Sequence, residues 1–227
     1  MKVLNLFPLT IVEEAIIIDE NERNILVDEI KKMKIGEYKK NKSQYAWTGD
    51  TKGYEFLFSN KLFTNLANKI SLSIISYLSL LEINTDLLDI YFQRSWATFT
   101  ENDQNINFHT HSQSNISFAY YLLKPKDSGG IIFKSNDLQN EVAKNIFTGS
   151  KMEKSLIHKA NVYNSDKSAF DPPQDTIIIF PSKTPHATLP NKSNLPRISI
   201  SGDITIMLKN SNGFEHLMPN FKNLKKF

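Results

Sequence analysis

Residues 107–123, NFHTHSQSNISFAYYLL, set two imidazoles, His109 and His111, two positions apart at the start of an aromatic and β-branched run. In extended backbone, side chains i and i+2 share a face roughly 6.5–7 Å apart, so both rings can converge on one metal ion. H-x-H alone is common on polar surfaces, and a metal site needs a further donor from a distant segment. His186, in TIIIFPSKTPHATLPN, follows an apolar run that ends at Pro181 and is the candidate. The sequence holds five histidines and no cysteine, so any metal rests on His, Asp or Glu. Thiolate zinc sites, disulfides and cysteine nucleophiles are excluded.

Eleven residues beyond His186 stands Arg197, with Ser199 on the same strand face. If that face looks into a barrel, the guanidinium requires an anion, because an unpaired buried charge is too costly to keep. A carboxylate fits the guanidinium fork with two oxygens, and Ser199 can donate a further bond. Other readings of the same residues stay open. An acid such as Asp103 or Asp127 could complete the ligand set in place of His111. Three histidines on strands also describe a zinc hydrase or hydrolase with an open water position, in which Arg197 and Ser199 have no role. A non-catalytic jelly-roll binding protein of phage is a third reading. His158 and His216 read as loop and tail residues. Arg94 and Trp96 lead into the first histidine and could line a pocket mouth, although a core tryptophan is the plainer expectation; Trp47, Tyr45 and Asp50 suggest a lid in a polar loop.

These residues need a scaffold. DENERNILVDEIKKMKIG (19–36) carries Ile25, Leu26, Ile30 and Met33 at helical spacing, acids first and lysines last, as the helix dipole favours, with Gly36 as a stop. Residues 59–83 repeat Leu62, Phe63, Leu66, Ile70, Ile74, Leu78 and Leu81 on one stripe, with Ser59 as the expected cap. From residue 89 the pattern changes to short β-type runs: DIYFQRSWATF, NISFAYYLL, GIIFK, TIIIF and RISISGDITIM. The last alternates strictly, with Arg197, Ser199, Ser201, Asp203 and Thr205 against Ile198, Ile200, Gly202, Ile204 and Ile206. Strands in succession without intervening helices predict an antiparallel sandwich or barrel. Segment 136–174 reads as a polar insertion with a weak helical patch around LQNEVAKNIF. The expectation is one domain over 1–227: helical support over 1–88, a β core over 89–207 with that insertion, and a tail over 208–227.

The order of H-x-H, a distant His and then Arg-x-Ser resembles the 2-oxoglutarate- and iron(II)-dependent oxygenases. LFPLTIVEEAIIID, NFHTHSQSNISFAYYLLKPKDSGGIIFKSN and IIIFPSKTPHATLPNKSNLPRISISGDI extend that resemblance over most of the chain, toward a subfamily of marine bacteria and phages in which H-x-H replaces H-x-D. The resemblance implies a mainly β (α+β) fold, a double-stranded β-helix or cupin-like jelly roll with supporting N-terminal helices. It implies Fe(II) ligation by His109, His111 and His186. It also implies 2-oxoglutarate binding by Arg197, Ser199 and Tyr121, and hydroxylation of an unidentified substrate coupled to decarboxylation of 2-oxoglutarate to succinate. His111 departs from the wider superfamily, where a carboxylate stands. Three neutral ligands leave more of the ion's charge uncompensated, which favours an anionic cosubstrate and weakens hold on the bare metal.

Composition sets the remaining bounds. With 227 residues, 40% hydrophobic and 22% charged, the chain can bury a sizeable core. A net charge of +3 gives no argument for nucleic acid, and the basic FKNLKKF end reads as solvated. No apolar run reaches the ~18 residues of a membrane span, and Pro8, Glu13 and Glu14 break the N-terminal apolar stretch. A soluble, cytoplasmic protein acting on a small-molecule or protein substrate is the expectation; the sequence leaves the oligomeric state open.

Overall fold

The structure, a computed structural model, describes residues 1–35, 44–135, 137, 140, 142–143, 146–147, 156–210 and 217–227. Gly36, His216 and half of the helical patch expected around 138–147 lie outside the described residues. In chain order the elements are β1 (Val12–Ala15), α1 (Glu20–Ile35), β2 (Trp47–Thr48), α2 (Thr64–Leu80), β3 (Leu88–Thr100), β4 (Ile116–Leu123), β5 (Ile131–Lys134), β6 (Lys167–Phe170), β7 (Thr176–Pro181), β8 (His186–Thr188) and β9 (Arg197–Leu208). Two antiparallel sheets result, one ordered β1-β7-β4-β9-β3-β2 and a smaller one ordered β6-β5-β8. This is the double-stranded β-helix that the sequence implies.

Period-2 alternation sorts the large sheet into two faces. Phe118, Tyr120 and Leu122 of β4, Ile177 and Ile179 of β7, and Ile198, Ile200, Ile204 and Ile206 of β9 share one core with Leu26 and Ile30 of α1 and Leu66, Ile70, Ile74 and Leu78 of α2. The helices therefore cover the outer face. The opposite face looks between the sheets, where Tyr121, Ile131, Phe133, Ile178 and Phe180 form a second, smaller cluster. Arg197, Ser199, Ser201 and Asp203 belong to this inner face by alternation, so the polar side of β9 points into the barrel.

Three details depart from the sequence reading. α2 begins at Thr64 rather than Ser59, because two 3-10 turns, Leu57–Ser59 and Lys61–Phe63, precede it. Asn60, not Ser59, caps the second turn by accepting from the Leu62 amide. β1 and β2 fall among the N-terminal helices: β1, the acidic VEEA, pairs with the edge of β7, and Trp47 pairs with Phe99. β6, Lys167–Phe170, forms near the end of segment 136–174 and pairs with β5.

The turn into β5 fixes the barrel's closure. Gly129 has φ of 71°, and a Cβ on Gly130 would stand 1.9 Å from the Phe170 carbonyl oxygen. Gly130→Ala must push β6 off β5, so we expect a loss of about 1–3 kcal/mol, the usual cost of overpacking. A lower urea midpoint at unchanged slope checks it.

Candidate functional site

Segment 106–111 is not part of β4. It runs beside β8, with the Thr188 amide donating to the Ile106 carbonyl at 3.0 Å and His109 and His186 exchanging both backbone bonds at 3.0 Å. The His111 amide donates to the Ser182 carbonyl at 3.0 Å. This pairing lays the H-x-H pair against His186. Ring centroids are 4.3 Å apart for His109 and His186, 5.0 Å for His109 and His111, and 5.2 Å for His111 and His186. One ring nitrogen from each of the three lies within 4.8 Å of the other two. His109 stands at the exposed rim, while His111 and His186 are buried. Among the described residues, Asp103 and Asp127 do not join the group; Asp103 instead pairs with Lys192 at 2.6 Å.

The hydrogen bonds set the tautomers. His109 Nδ1 lies 2.8 Å from the Asn107 carbonyl, and His186 Nδ1 lies 2.9 Å from the Thr184 carbonyl. A carbonyl can only accept, so both Nδ1 atoms carry the proton and donate, leaving each Nε2 with a free lone pair. His111 Nδ1 donates to Asp203 Oδ1. Three outward-tethered rings with three free Nε2 atoms form a donor set suited to a borderline transition metal. Burial and then the neighbouring His109 ring push the pKa of His186 down to about 3. His109 is lowered as well, chiefly by burial, against the raising effect of its bond to Asn107.

Asp203 is fully buried. It accepts from Ser117 Oγ at 2.9 Å and from Arg94 Nη2 at 2.6 Å and Nε at 3.2 Å. Burial alone would raise its pKa; the bonds from His111, Arg94 and Ser117 together outweigh that and hold it below the usual carboxylate range. Ser114 donates to Ser182 at 2.9 Å, and Ser182 lies 2.8 Å from Ser117. Arg94 also lies over the Trp96 ring, and Trp96 stands 5.6 Å from the His111 ring.

At the other end of the β9 face, Arg197 is 1% exposed. Its Nη1 donates to the carbonyls of Ser128 at 2.6 Å and Leu189 at 3.2 Å, and its Nη2 reaches Thr100 Oγ1 at 3.5 Å. No carboxylate among the described residues forms an ion pair with it. Asp171 acts on it only through its field and bonds Lys124 instead. Burial lowers the pKa of Arg197, against the opposing influence of Tyr121 and Asp171. A buried guanidinium bonded by neutral oxygens is suited to pairing with an anion. Ser199 faces Tyr121 on one side and Thr98 on the other. Burial raises the Tyr121 pKa, more than the Arg197 charge lowers it, so the phenol stays a donor.

One cavity of about 550 Å³ is lined by His109, His111, His186, Arg197, Ser199 and Tyr121 together. The six residues singled out from the sequence thus share one chamber. Arg94, Trp96, Tyr45 and Asp50 also line it, whereas Trp47 is buried in the main core beside Leu57 and Phe99. His158 is exposed and apart. The sequence reading missed Asp203 and Ser117 as partners of His111. Asp203 lies in the polar phase of RISISGD, and that phase is its only sequence signal.

The metal-free chain carries a pH liability from these rings. Folded His186 and His109 resist protonation, while the unfolded chain takes up protons near the ordinary value of about 6.5. Stability is therefore intact above about pH 6.5 and is lost progressively as pH falls toward the folded value near 3. We expect the urea midpoint of metal-free protein to be distinctly lower at pH 5 than at pH 7.5, with His186→Gln flattening that dependence.

Residues 94–203 match the model of a family described as "Putative 2OG-Fe(II) oxygenase". No curated protein matches the chain. Among solved structures, the viral collagen prolyl hydroxylase vCPH from Paramecium Bursaria Chlorella virus-1, in its 2OG complex, is 16% identical, with 86% of this chain and 94% of that one covered at a TM-score of 0.51. HygX from Streptomyces hygroscopicus with nickel and 2-oxoglutarate bound is 8% identical, with 86% and 82% covered at 0.55. A Pseudomonas putida prolyl-4-hydroxylase is 12% identical, with 86% and 92% covered at 0.50. At these identities the likeness is one of fold. Among the described residues, no helix is long and apolar enough to cross a membrane.

Proposed function

We propose that this chain, whose residues 94–203 match the model of the 2OG-Fe(II) oxygenases, hydroxylates an unidentified substrate while 2-oxoglutarate is decarboxylated to succinate. Iron(II) and 2-oxoglutarate are the cofactors of that family. The observation that carries the proposal is the single cavity lined by both the three imidazoles and the uncompensated Arg197. A zinc hydrase would need the first and leave the second without a purpose.

His109, His111 and His186 would hold the metal through Nε2, and the open chamber beside them leaves room for further ligands. Arg197 would bind the far carboxylate of 2-oxoglutarate, with Ser199 and the un-ionised Tyr121 as further donors. Once bound, the metal and cosubstrate supply the oxidising chemistry, with dioxygen consumed and succinate and carbon dioxide released. The protein's part is positional. Backbone bonds at 106–111 fix the rings, while Phe133 and Phe180 pack on His186 at 6.3 and 4.7 Å and keep that flank apolar. Trp96, Tyr45 and Asp50 line the remaining cavity wall, where a substrate would lie.

Anaerobic addition of Fe(II) and 2-oxoglutarate should produce a visible charge-transfer band, and admission of air should yield succinate. Activity with zinc alone and no 2-oxoglutarate, or the absence of both band and succinate, would overturn the reading.

A further inference from the structure

We infer that Asp203 is a positioning residue that returns to this site, one hydrogen bond removed, the negative charge that a carboxylate ligand would have contributed. The inference rests on the proposed ligation by His109, His111 and His186. His111 occupies the place of an acid in the sequence pattern, and it is the one ligand candidate whose Nδ1 bonds a carboxylate; His109 and His186 each bond a neutral carbonyl. Asp203 is 0% exposed, so solvent does not screen its charge from the ring. Its Oδ1 takes the bonds of His111 and Ser117, and its Oδ2 takes both bonds of Arg94. A carboxylate behind an imidazole fixes the ring and makes its Nε2 a stronger donor to a cation.

Arg94 gives the arrangement an opposing element. Its guanidinium neutralises part of the Asp203 charge and is itself shared with Asp50, whose Oδ2 lies 3.8 Å from Nη1. Asp203 and Arg94 should thus affect a bound cation with opposite signs. A merely structural ion pair predicts the same sign for both, since losing either partner would loosen the ring.

The test is Co(II) affinity of the full chain, measured by competition with a chromophoric chelator, with circular dichroism and thermal midpoints recorded for each variant. Asp203→Asn keeps an acceptor for His111 but removes the charge, and should weaken Co(II) by about 10–100-fold. Arg94→Gln leaves Asp203 anionic and bonded to Ser117, and should tighten Co(II) by about threefold. Ser117→Ala removes a bond without charge and should change affinity by less than about threefold. Unchanged affinity in Asp203→Asn, or weakening in Arg94→Gln, overturns the inference. If Asp203→Asn fails to fold, the sign of the Arg94→Gln change decides by itself. Wild type that binds no Co(II) would overturn the ligation itself rather than the role of Asp203.

Discussion

His186→Ala is expected to abolish metal binding and, with it, all turnover. His186 is buried and sits closest to a neighbouring ring, 4.3 Å from His109. It is also the ligand candidate contributed by a separate strand, β8, and its removal leaves two rings carried by one short loop. Two imidazoles seldom hold iron(II) or zinc against buffer, so the retained metal after desalting should fall below a tenth of wild type. The fold should survive. Apart from the backbone pairing with His109, which alanine keeps, the ring bonds only the Thr184 carbonyl, and its loss leaves a small void worth about 1–3 kcal/mol. The control is His158→Ala, which should leave metal content unchanged because that side chain is exposed and outside the cavity. Full metal occupancy in His186→Ala would mean that the three rings do not share an ion.

The experiment also separates two reasons for crowding histidines in a barrel. Rings packed together solely for stability would be a poor choice, since burial and the neighbouring rings depress the proton affinity of His109 and His186 and cost stability as pH falls. Metal binding reverses that cost, because a cation takes the lone pairs that protons would otherwise contest. Metal-loaded wild type should therefore keep its midpoint at pH 6 better than metal-free protein does, and His186→Ala should show no difference between the two.

The scaffold was legible where side-chain periodicity is a direct record of burial. RISISGDITIM alternates because one face of β9 meets α1 and α2 while the other faces the chamber, and this strand alone predicts both environments. The stripe that runs into α2 is equally plain at its centre, with Phe63, Leu66, Ile70, Ile74 and Leu78 all almost completely buried, whereas Leu62 and Leu81 at its ends are exposed. β1 was not legible, because Glu13 and Glu14 are exposed on an edge strand whose identity comes from pairing with β7 rather than from its own residues. The start of α2 was misplaced since Ser59 and Asn60 are both capping residues, and which one caps depends on where the Leu57–Ser59 turn packs. Within the site, the histidines and Arg197 stood out by type and spacing. Asp203 and Ser117 did not, because 86 residues separate them and their contact exists only once β4 lies beside β9. Trp47 entered the core rather than a lid for a similar reason: its pairing with Phe99 is a long-range contact that loop composition does not encode.

Arg197→Ala is expected to raise the 2-oxoglutarate requirement by about 100-fold while leaving metal content near wild type. The size follows from the bonds lost. Hydrogen bonds to charged groups are worth about 1.5–3 kcal/mol each, and even one strong bond of this kind accounts for a factor of about 10–150. The separation of effects follows from position. Arg197 touches Thr100, Ser128 and Leu189, and none of the three histidines. Stability supplies a second readout. In the free chain the guanidinium is a buried cation without a carboxylate, so Arg197→Met, which fills the space and removes the charge, should cost little or nothing. With 2-oxoglutarate at 100 times its dissociation constant, wild type should gain about 2.7 kcal/mol, and neither variant should gain measurably. Loss of metal from Arg197→Ala at an unchanged 2-oxoglutarate requirement would place the residue in the metal shell and remove the anion clamp from the proposed function.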